Sequence, residues 1–256
     1  MSVKIISYNV NGIRSAMNKG LLDWLKGANP DILCLQEIKA EPGQLNLADF
    51  EALGYTTYWH PAIKKGYSGV ALFTRQKPKH VEVGCGLPDY DSEGRVLRAD
   101  FEGYSVMSVY FPSGTSGDHR QEFKYKFLDD FYVYIEKLRL TVPNLVICGD
   151  VNICHREVDI HNPISNKNTT GFLPEERSWL GKFLESGFVD SFRHTCSEPH
   201  HYTWWSFRFN ARKNNKGWRI DYQLVSEAMK DRILRASILP EAYHSDHCPT
   251  LLELDV

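Results

Sequence analysis

The residues of this 256-residue chain best suited to chemistry are polar groups at the ends of apolar runs. Leu145-Val146-Ile147-Cys148 leads into Gly149-Asp150-Val151-Asn152. The apolar run suits a buried strand, and residues two apart on a strand point the same way. Asp150 and Asn152 would then project together, a carboxylate beside a carboxamide donor. The spacing recurs where Val3–Tyr8 is followed by Asn9 and Asn11 and broken at Gly12. Glu37 stands at the end of Asp31–Gln36, and Asp246-His247 lies between Ser245 and Pro249. Neighbours on a strand point apart, so Asp246 and His247 share a site only in a turn, which Ser and Pro favour. Asp221 interrupts the strand-like Trp218–Val225. A buried Asp needs a partner, and a histidine is a natural one. Any one of these sets reads equally well as a polar turn. Taken together, carboxylates and carboxamides without cysteine ligands suit a hard cation such as Mg²⁺, with Mn²⁺ as a substitute. A histidine oriented by an aspartate suits charge stabilisation or proton transfer. The combination fits metal-assisted hydrolysis of a phosphodiester. No G-x-S-x-G and no Walker A loop occurs, so acyl transfer and nucleoside-triphosphate chemistry recede.

The substrate is suggested by residues 204–219, W-W-S-F-R-F-N-A-R-K-N-N-K-G-W-R. Arg208, Arg212, Lys213, Lys216 and Arg219 interleave with Trp204, Trp205, Phe207, Phe209 and Trp218, and no acid intervenes. Cations contact phosphates, and aromatic faces receive a base or a sugar. A solvated basic loop over core tryptophans is the plainer alternative.

The elements that position these groups follow from periodicity. Strands are expected at Val3–Tyr8, Asp31–Gln36, Tyr55–His60, Gly69–Arg75, His80–Gly84, Val96–Phe101, Tyr104–Phe111, 145–150, Phe188–Phe192, His201–Trp205, Trp218–Val225, Ile233–Leu239 and Thr250–Leu254. Leu21, Leu22 and Leu25 mark a short helix ended by Gly27 and Pro30. Asp118 and Gln121 resemble a capping box, after which Phe123, Phe127, Phe131, Ile135 and Leu138 recur at helical spacing as core. Pro174-Glu175-Glu176 opens another helix, ended by Gly187. The polar stretch 155–171 is long for a loop, a length often associated with function. Many strands with helices between them, and no Ser/Gly/Pro-rich linker, predict one α/β domain over residues 1–256, with sheets packed face to face. The short match of I-S-Y-N-V-N to I-C-G-D-V-N hints at two halves that each begin alike.

Net charge is -2 and hydrophobic content 42%, ordinary for a globular protein. This counts against a basic tail and leaves nucleic acid as a partner only through a local basic face. Six scattered cysteines without a C-x-x-C pair read as reduced thiols of a cytoplasmic protein. No signal-peptide pattern or membrane-length apolar run is present, so no membrane partner is expected.

The motifs S-Y-N-V-N-G-I-R, L-Q-E-I-K, G-Y-S-G-V, G-R-V, V-Y-F-P, G-D-V-N, G-F-L-P-E-E-R, N-A-R-K-N-N-K-G-W-R-I-D-Y and S-D-H-C-P occur in this order over nearly the whole chain. In them the chain resembles the exonuclease III branch, the class II AP endonucleases, of the endonuclease–exonuclease–phosphatase superfamily. The resemblance implies a four-layered α/β sandwich of two packed mixed β-sheets flanked by helices. It implies hydrolysis of duplex DNA 5′ to an abasic site, with 3′-exonuclease and 3′-phosphodiesterase companions, by a monomer. By resemblance Glu37 is the main Mg²⁺ ligand, with Asn9 and Asp246 nearby. Asp150, Asn152 and Tyr110 surround the attacking water and phosphate, within reach of the metal. His247 contacts the phosphate, is counted with the metal site, and is held by Asp221. Lys39, Tyr67 and Arg95 resemble positions near the metal or the DNA backbone. Trp204, Trp218 and Ile220 match the pocket for a flipped-out, base-free sugar. Two positions depart from many relatives: Ser113 replaces an Asn, which makes a phosphate contact shorter or water-mediated, and Asn11 replaces an Asp, which removes a charge near the metal. A general nuclease on the same scaffold is the nearest alternative. A retired DNA-binding protein should have lost Glu37, Asp150 or His247, and none is lost.

Overall fold

In the computed structural model, which describes residues 2–256, strand alternation builds the architecture. The strands are β1 (Ser2–Asn9), β2 (Ile32–Gln36), β3 (Thr56–His60), β4 (Val70–Thr74), β5 (His80–Val83), β6 (Val96–Asp100), β7 (Ser105–Tyr110), β8 (Leu145–Asp150), β9 (Phe188–Asp190), β10 (Asp221–Ser226), β11 (Ile233–Ile238) and β12 (Thr250–Asp255). They form two six-stranded sheets, ordered β11-β12-β1-β2-β4-β3 and β5-β6-β7-β8-β10-β9. Each sheet has one parallel pair, β1 with β2 and β7 with β8, and is otherwise antiparallel.

Successive residues of the central strands belong to different layers, as the period of two requires. Ile5, Ile32, Cys34, Val146 and Cys148 pack between the sheets with Val70, Leu72, Val106 and Leu252. Ile6, Tyr8, Leu33 and Leu35 face the other way, onto the helices Ile13–Asn18 and Leu21–Ala28. Leu145, Ile147, Met107 and Leu224 pack against Phe127, Phe131, Ile135, Leu180 and Phe183. Those five lie on the helices Asp118–Leu138 and Pro174–Glu185. The result is helix, sheet, sheet, helix, the expected four layers. Strands buried on both faces explain why β2, β4 and β8 read as continuous apolar runs. No helix among the described residues is long and apolar enough to cross a membrane.

Local structure departs from the sequence expectation at several places, among them the strand expected from Trp218, which begins at Asp221. The strand from Phe188 stops at Asp190, whose carboxylate accepts the Arg193 N–H at 3.2 Å and caps a helix at Ser191–Thr195. Residues 201–205 form no strand: the Thr203 and Trp204 N–H groups both donate to the Trp218 carbonyl, which leaves only isolated bridges. The Asp118 capping box is absent because Gly117 is the N-cap, and Gln121 turns instead to Glu176 and Thr170. The stretch 155–171 holds two short helical turns, Glu157–Asp159 and Pro163–Asn166.

Candidate active site

The similarity of the two halves is structural as well as sequential. Asn9 ends β1 and Asp150 ends β8. In each case the side chain accepts the N–H of the residue two along: Asn11 N–H to Asn9 Oδ1 at 3.0 Å, Asn152 N–H to Asp150 Oδ1 at 2.8 Å. Both Asn11 and Asn152 have left-handed φ, 44° and 55°. The chain therefore folds back into an Asx turn and does not continue as the extended strand expected from the two-residue spacing. Glu37 and Lys39 also take left-handed φ, 54° and 50°. Such conformations in residues other than glycine cost energy and gather where surrounding structure over-determines them. Here the Gly12 N–H binds the Glu37 carbonyl, and the Lys39 N–H binds that of Ser68.

The turns bring the polar sets into two linked groups. In the first, His247 Nδ1 lies 2.9 Å from Asp221 Oδ2, and its Nε2 lies 3.8 Å from Asp150 Oδ2. Asn9 Nδ2 donates to the same Asp150 oxygen at 2.9 Å. All four side chains are buried. The β8–β10 register sets Asp150 opposite Asp221, and Thr203 Oγ1 fixes the start of β10 by accepting the Ile220 and Asp221 N–H groups. In the second group, Lys39 Nζ bridges Glu37 Oε1 at 2.9 Å and Asn11 Oδ1 at 2.6 Å. Asn11 Nδ2 donates to Asp246 Oδ1 at 2.9 Å, and Trp204 Nε1 to Asp246 Oδ2 at 3.0 Å. The expected turn at 245–247 is present, with Ser245 Oγ accepting the His247 N–H. The Asn11 carboxamide suits this position because it donates to Asp246 through Nδ2 while it accepts from Lys39 through Oδ1, which a carboxylate cannot do.

Burial and charge act in opposition at the buried pair. Burial favours neutral His247, but the charges of Asp221, Asp150 and Asp246 and the Asp221 hydrogen bond win and raise it to about 10. Burial and the Asp221 charge push Asp150 up to about 7, against the pull of His247, the Asn152 N–H and Asn9. Asp246 is held low: burial is outweighed by the His247 charge and the bonds from Asn11 and Trp204. Burial, with Glu37 and Asp150 nearby, holds the Tyr110 phenol well above its usual range. Tyr110 is therefore a hydrogen-bond donor that feels both carboxylate groups.

The cations divide by burial. Arg95, expected near the metal or the DNA backbone, is 1% exposed. It donates to the Tyr110 carbonyl and to Glu93 and lies 3.5 Å from the Tyr67 hydroxyl, which also accepts from Arg120. Its task is to fix the two tyrosines. Arg212, expected on DNA, donates to the carbonyls of Ser245, Pro240 and Ala242 and packs on Trp205 and Tyr243. It braces the loop that carries Asp246 and His247. Arg219, read from sequence among the phosphate-contacting cations, is buried between Asp159 and Asp190. Arg208, Lys213 and Lys216 remain exposed, beside the exposed rings of Phe207 and Phe209. Ser113 Oγ lies 3.0 Å from Thr115 Oγ1.

Ile220 packs with Cys154, Ile160 and Phe172 in a small apolar cluster, edged by Trp204 and Trp218. The two indoles meet edge to face at 6.0 Å, and the Trp204 ring lies 6.5 Å from the His247 ring. Gly171, at φ 90°, is pressed so close that a Cβ there would lie 3.0 Å from the Trp218 ring. Sequence reasoning missed Thr203, Phe172, Lys124 and Glu176. Lys124 and Glu176 did leave a signal: each is a charge on the apolar stripe of its helix, in register with Phe127, Leu128 and Phe131 or with Leu180 and Phe183.

The donor set fits a hard cation. Asp150, Glu37 and Asp246 supply carboxylates, the last two held by neighbours that a cation can replace. Asp221 and His247 have ligand atoms within 4.8 Å of Asp150's, but His247, expected within reach of the metal, is paired with Asp221 and held protonated, which leaves it no lone pair for a cation. All six cysteines are free and outside this set.

A family model described as Endonuclease/Exonuclease/phosphatase family matches residues 6–247. The chain is 44% identical to an exodeoxyribonuclease of Bacillus subtilis over 256 residues, 99% of this chain and 100% of the relative. It is 38% identical to a DNA-(apurinic or apyrimidinic site) endonuclease of Dictyostelium discoideum, over 99% of this chain and 71% of that protein. An AP endonuclease structure from Archaeoglobus fulgidus superposes with a TM-score of 0.89 at 32% identity, covering 99% of this chain and 100% of the other. A 3′ phosphatase from Neisseria, bound to a product DNA hairpin, superposes with a TM-score of 0.92 at 28% identity, with the same coverage. The chain belongs to the endonuclease/exonuclease/phosphatase family, in its branch of metal-dependent exodeoxyribonucleases and AP endonucleases, and is a hydrolase of DNA phosphodiester bonds.

Proposed function

We propose that the protein cuts the backbone of duplex DNA 5′ to abasic sites with Mg²⁺, and trims blocked or plain 3′ ends at the same centre, acting as an intracellular monomer. One observation carries this reading: the aromatic wall borders the acid–imidazole pair directly, through Trp204, which bonds Asp246 and lies against both His247 and Trp218. A base-free sugar is small enough to lie against such a wall, and flipping costs least where no base pair must be broken. The Dictyostelium and Archaeoglobus relatives, both named as AP endonucleases, support the same substrate.

The residues divide the work as follows. Glu37, Asn9 and Asp246, with Asp150 and Asn152, would hold Mg²⁺; bound there, the ion supplies Lewis-acid polarisation of a phosphate oxygen. Asp150, which burial and the Asp221 charge keep from ionising until near neutrality, orients and deprotonates the attacking water once it is a carboxylate. His247, held as imidazolium by Asp221, faces negative charge that grows on the phosphate. Tyr110, protonated and aimed by Arg95, donates a further hydrogen bond. Protons shared between Asp150 and His247 leave the reverse assignment open to the pH test below. Lys39, Tyr67, Ser113, Arg208 and Lys213 face the DNA backbone, and Trp204, Trp218 and Ile220 line the sugar pocket.

The test is a duplex carrying one synthetic abasic site, incubated with purified protein and Mg²⁺, with products mapped to the nucleotide. A single cut on the 5′ side, abolished by chelator, is expected. Cleavage that persists in EDTA or falls at random positions would refute the proposal.

A further inference from the structure

Lys124 and Glu176 are both fully buried, and neither belongs to the site described above. Lys124 Nζ donates to Glu176 Oε1 at 2.6 Å and to the Asn152 carbonyl at 2.8 Å. Glu176 Oε2 accepts the N–H groups of Gly171 at 2.6 Å and Leu173 at 3.1 Å, on either side of Phe172. Gln121 donates to Glu176 Oε1 at 3.0 Å and accepts from Thr170 Oγ1 at 2.6 Å. Gly114, next to Ser113, closes the arrangement: a Cβ there would collide with Gln121 Oε1 and Thr170 Oγ1. Three loops thus rest on one charged cluster. They carry Ser113, the left-handed Asn152, and the Gly171–Phe172 wall against Trp218.

Stability alone is a poor reason for such a pair. Taking two charges out of water costs about as much as their attraction returns, and apolar replacements are often neutral or stabilising. What apolar residues cannot supply are the hydrogen bonds to one carbonyl and two N–H groups of the loops.

We propose that the buried Lys124–Glu176 pair, completed by Gln121, is a positioning hub that sets the placement of the Ser113, Asn152 and Phe172 loops, and through them the preference for an abasic nucleotide. The preference half rests on the function proposed above; the placement half does not.

The experiment compares wild type with the double variant K124M/E176Q, which removes both charges together. Melting is measured first, then amide hydrogen exchange at Gly171 and Leu173 without DNA, then kcat and KM on abasic and intact duplexes. The expected result is an unchanged melting temperature, with exchange at both amides faster by about tenfold or more. Loop misplacement lowers kcat/KM for the abasic duplex by about tenfold or more, through kcat, and by more than for the intact duplex. If the double variant does not fold, Q121A, which strands no charge, carries the same comparison, with the same directions and smaller size. Unchanged exchange at Gly171 overturns the hub. An equal fall on both substrates overturns its role in preference. Wild type that shows no abasic preference sinks the function proposed above, and the exchange result then decides the hub by itself.

Discussion

At the scale of single residues, the site is governed by the two carboxylates that flank His247. Asp221 raises both partners: it disfavours the Asp150 carboxylate and favours the His247 imidazolium. Replacing Asp221 by Asn removes one negative charge, so both groups should titrate lower. The acid limb of the kcat–pH profile, set by ionisation of Asp150, moves down because the Asp221 charge no longer disfavours the carboxylate. The alkaline limb, set by loss of the imidazolium proton, moves down from the neighbourhood of pH 10. An alkaline limb that stays put or rises would refute the charged-histidine role. Asp150→Asn should abolish turnover by orders of magnitude while DNA binding, followed by fluorescence anisotropy, persists. Glu37→Gln keeps the shape and removes a charge from the hard-cation set. The Mg²⁺ concentration for half-maximal rate should rise, and an unaltered metal titration would remove Glu37 from the ligand set.

At the scale of elements, the loops matter more than the strands. The long 155–171 loop is fastened by Asp159, which accepts from Arg219 and Arg193 while Arg219 also pairs with Asp190. Backbone bonds from Arg219 to Asp159 and from His161 to Gly217 then hold the loop against the Trp218 segment. The two arginines overcome burial and hold the Asp159 carboxyl down at about 2. Its folded value lies below the unfolded one, so its contribution is complete at neutral pH and is lost as pH falls from the ordinary Asp range toward 2. Asp159→Asn strands buried arginine charge and should cost about 3–5 kcal/mol in urea unfolding at pH 7, with the deficit shrinking below pH 4. A cost under about 1 kcal/mol would mean that the network is dispensable. The 204–219 stretch shows what the sequence hid. Its alternation of cations and aromatics was legible, but not which cations are used up by carbonyls and acids elsewhere in the chain. Arg212 and Arg219 are built in, and only Arg208, Lys213 and Lys216 stay exposed. Replacing Lys213 and Lys216 by Ala should therefore flatten the salt dependence of DNA binding, by about one unit of log–log slope for each phosphate these lysines neutralise. Arg212→Ala should instead loosen the 240–247 loop. A slope unmoved by the lysine pair would place that edge off the DNA.

At the scale of the whole molecule, packed sheets flanked by helices were legible because the central strands are apolar on both faces and the long helices carry clear stripes, while the four-layered arrangement was implied by the family resemblance. The gathering of the candidate site's residues was legible as a set of carboxylates and amides at strand ends, although each alone reads as well as a polar turn. The turns were not: Asn11, Asn152, Glu37 and Lys39 adopt left-handed backbones that no local pattern announces. Nor was the tertiary work of Lys124, Thr203 and Arg95, whose partners lie far along the chain. The inter-sheet core mixes strands from both halves, from Val3 to Leu254. The whole chain should accordingly behave as the single domain that the sequence suggests, with one calorimetric transition whose van't Hoff and calorimetric enthalpies agree. What joins this scaffold to its proposed task is the contact between the aromatic wall and the acid–imidazole pair. The most direct test is the ratio of kcat/KM for one duplex with and without a single abasic site, in wild type and in Trp218→Ala. Wild type should strongly favour the abasic duplex, and the variant should lose that preference by about tenfold or more through the abasic substrate alone. A ratio that Trp218→Ala leaves unchanged, with both substrates slowed in equal proportion, would contradict the pocket and with it the proposed function.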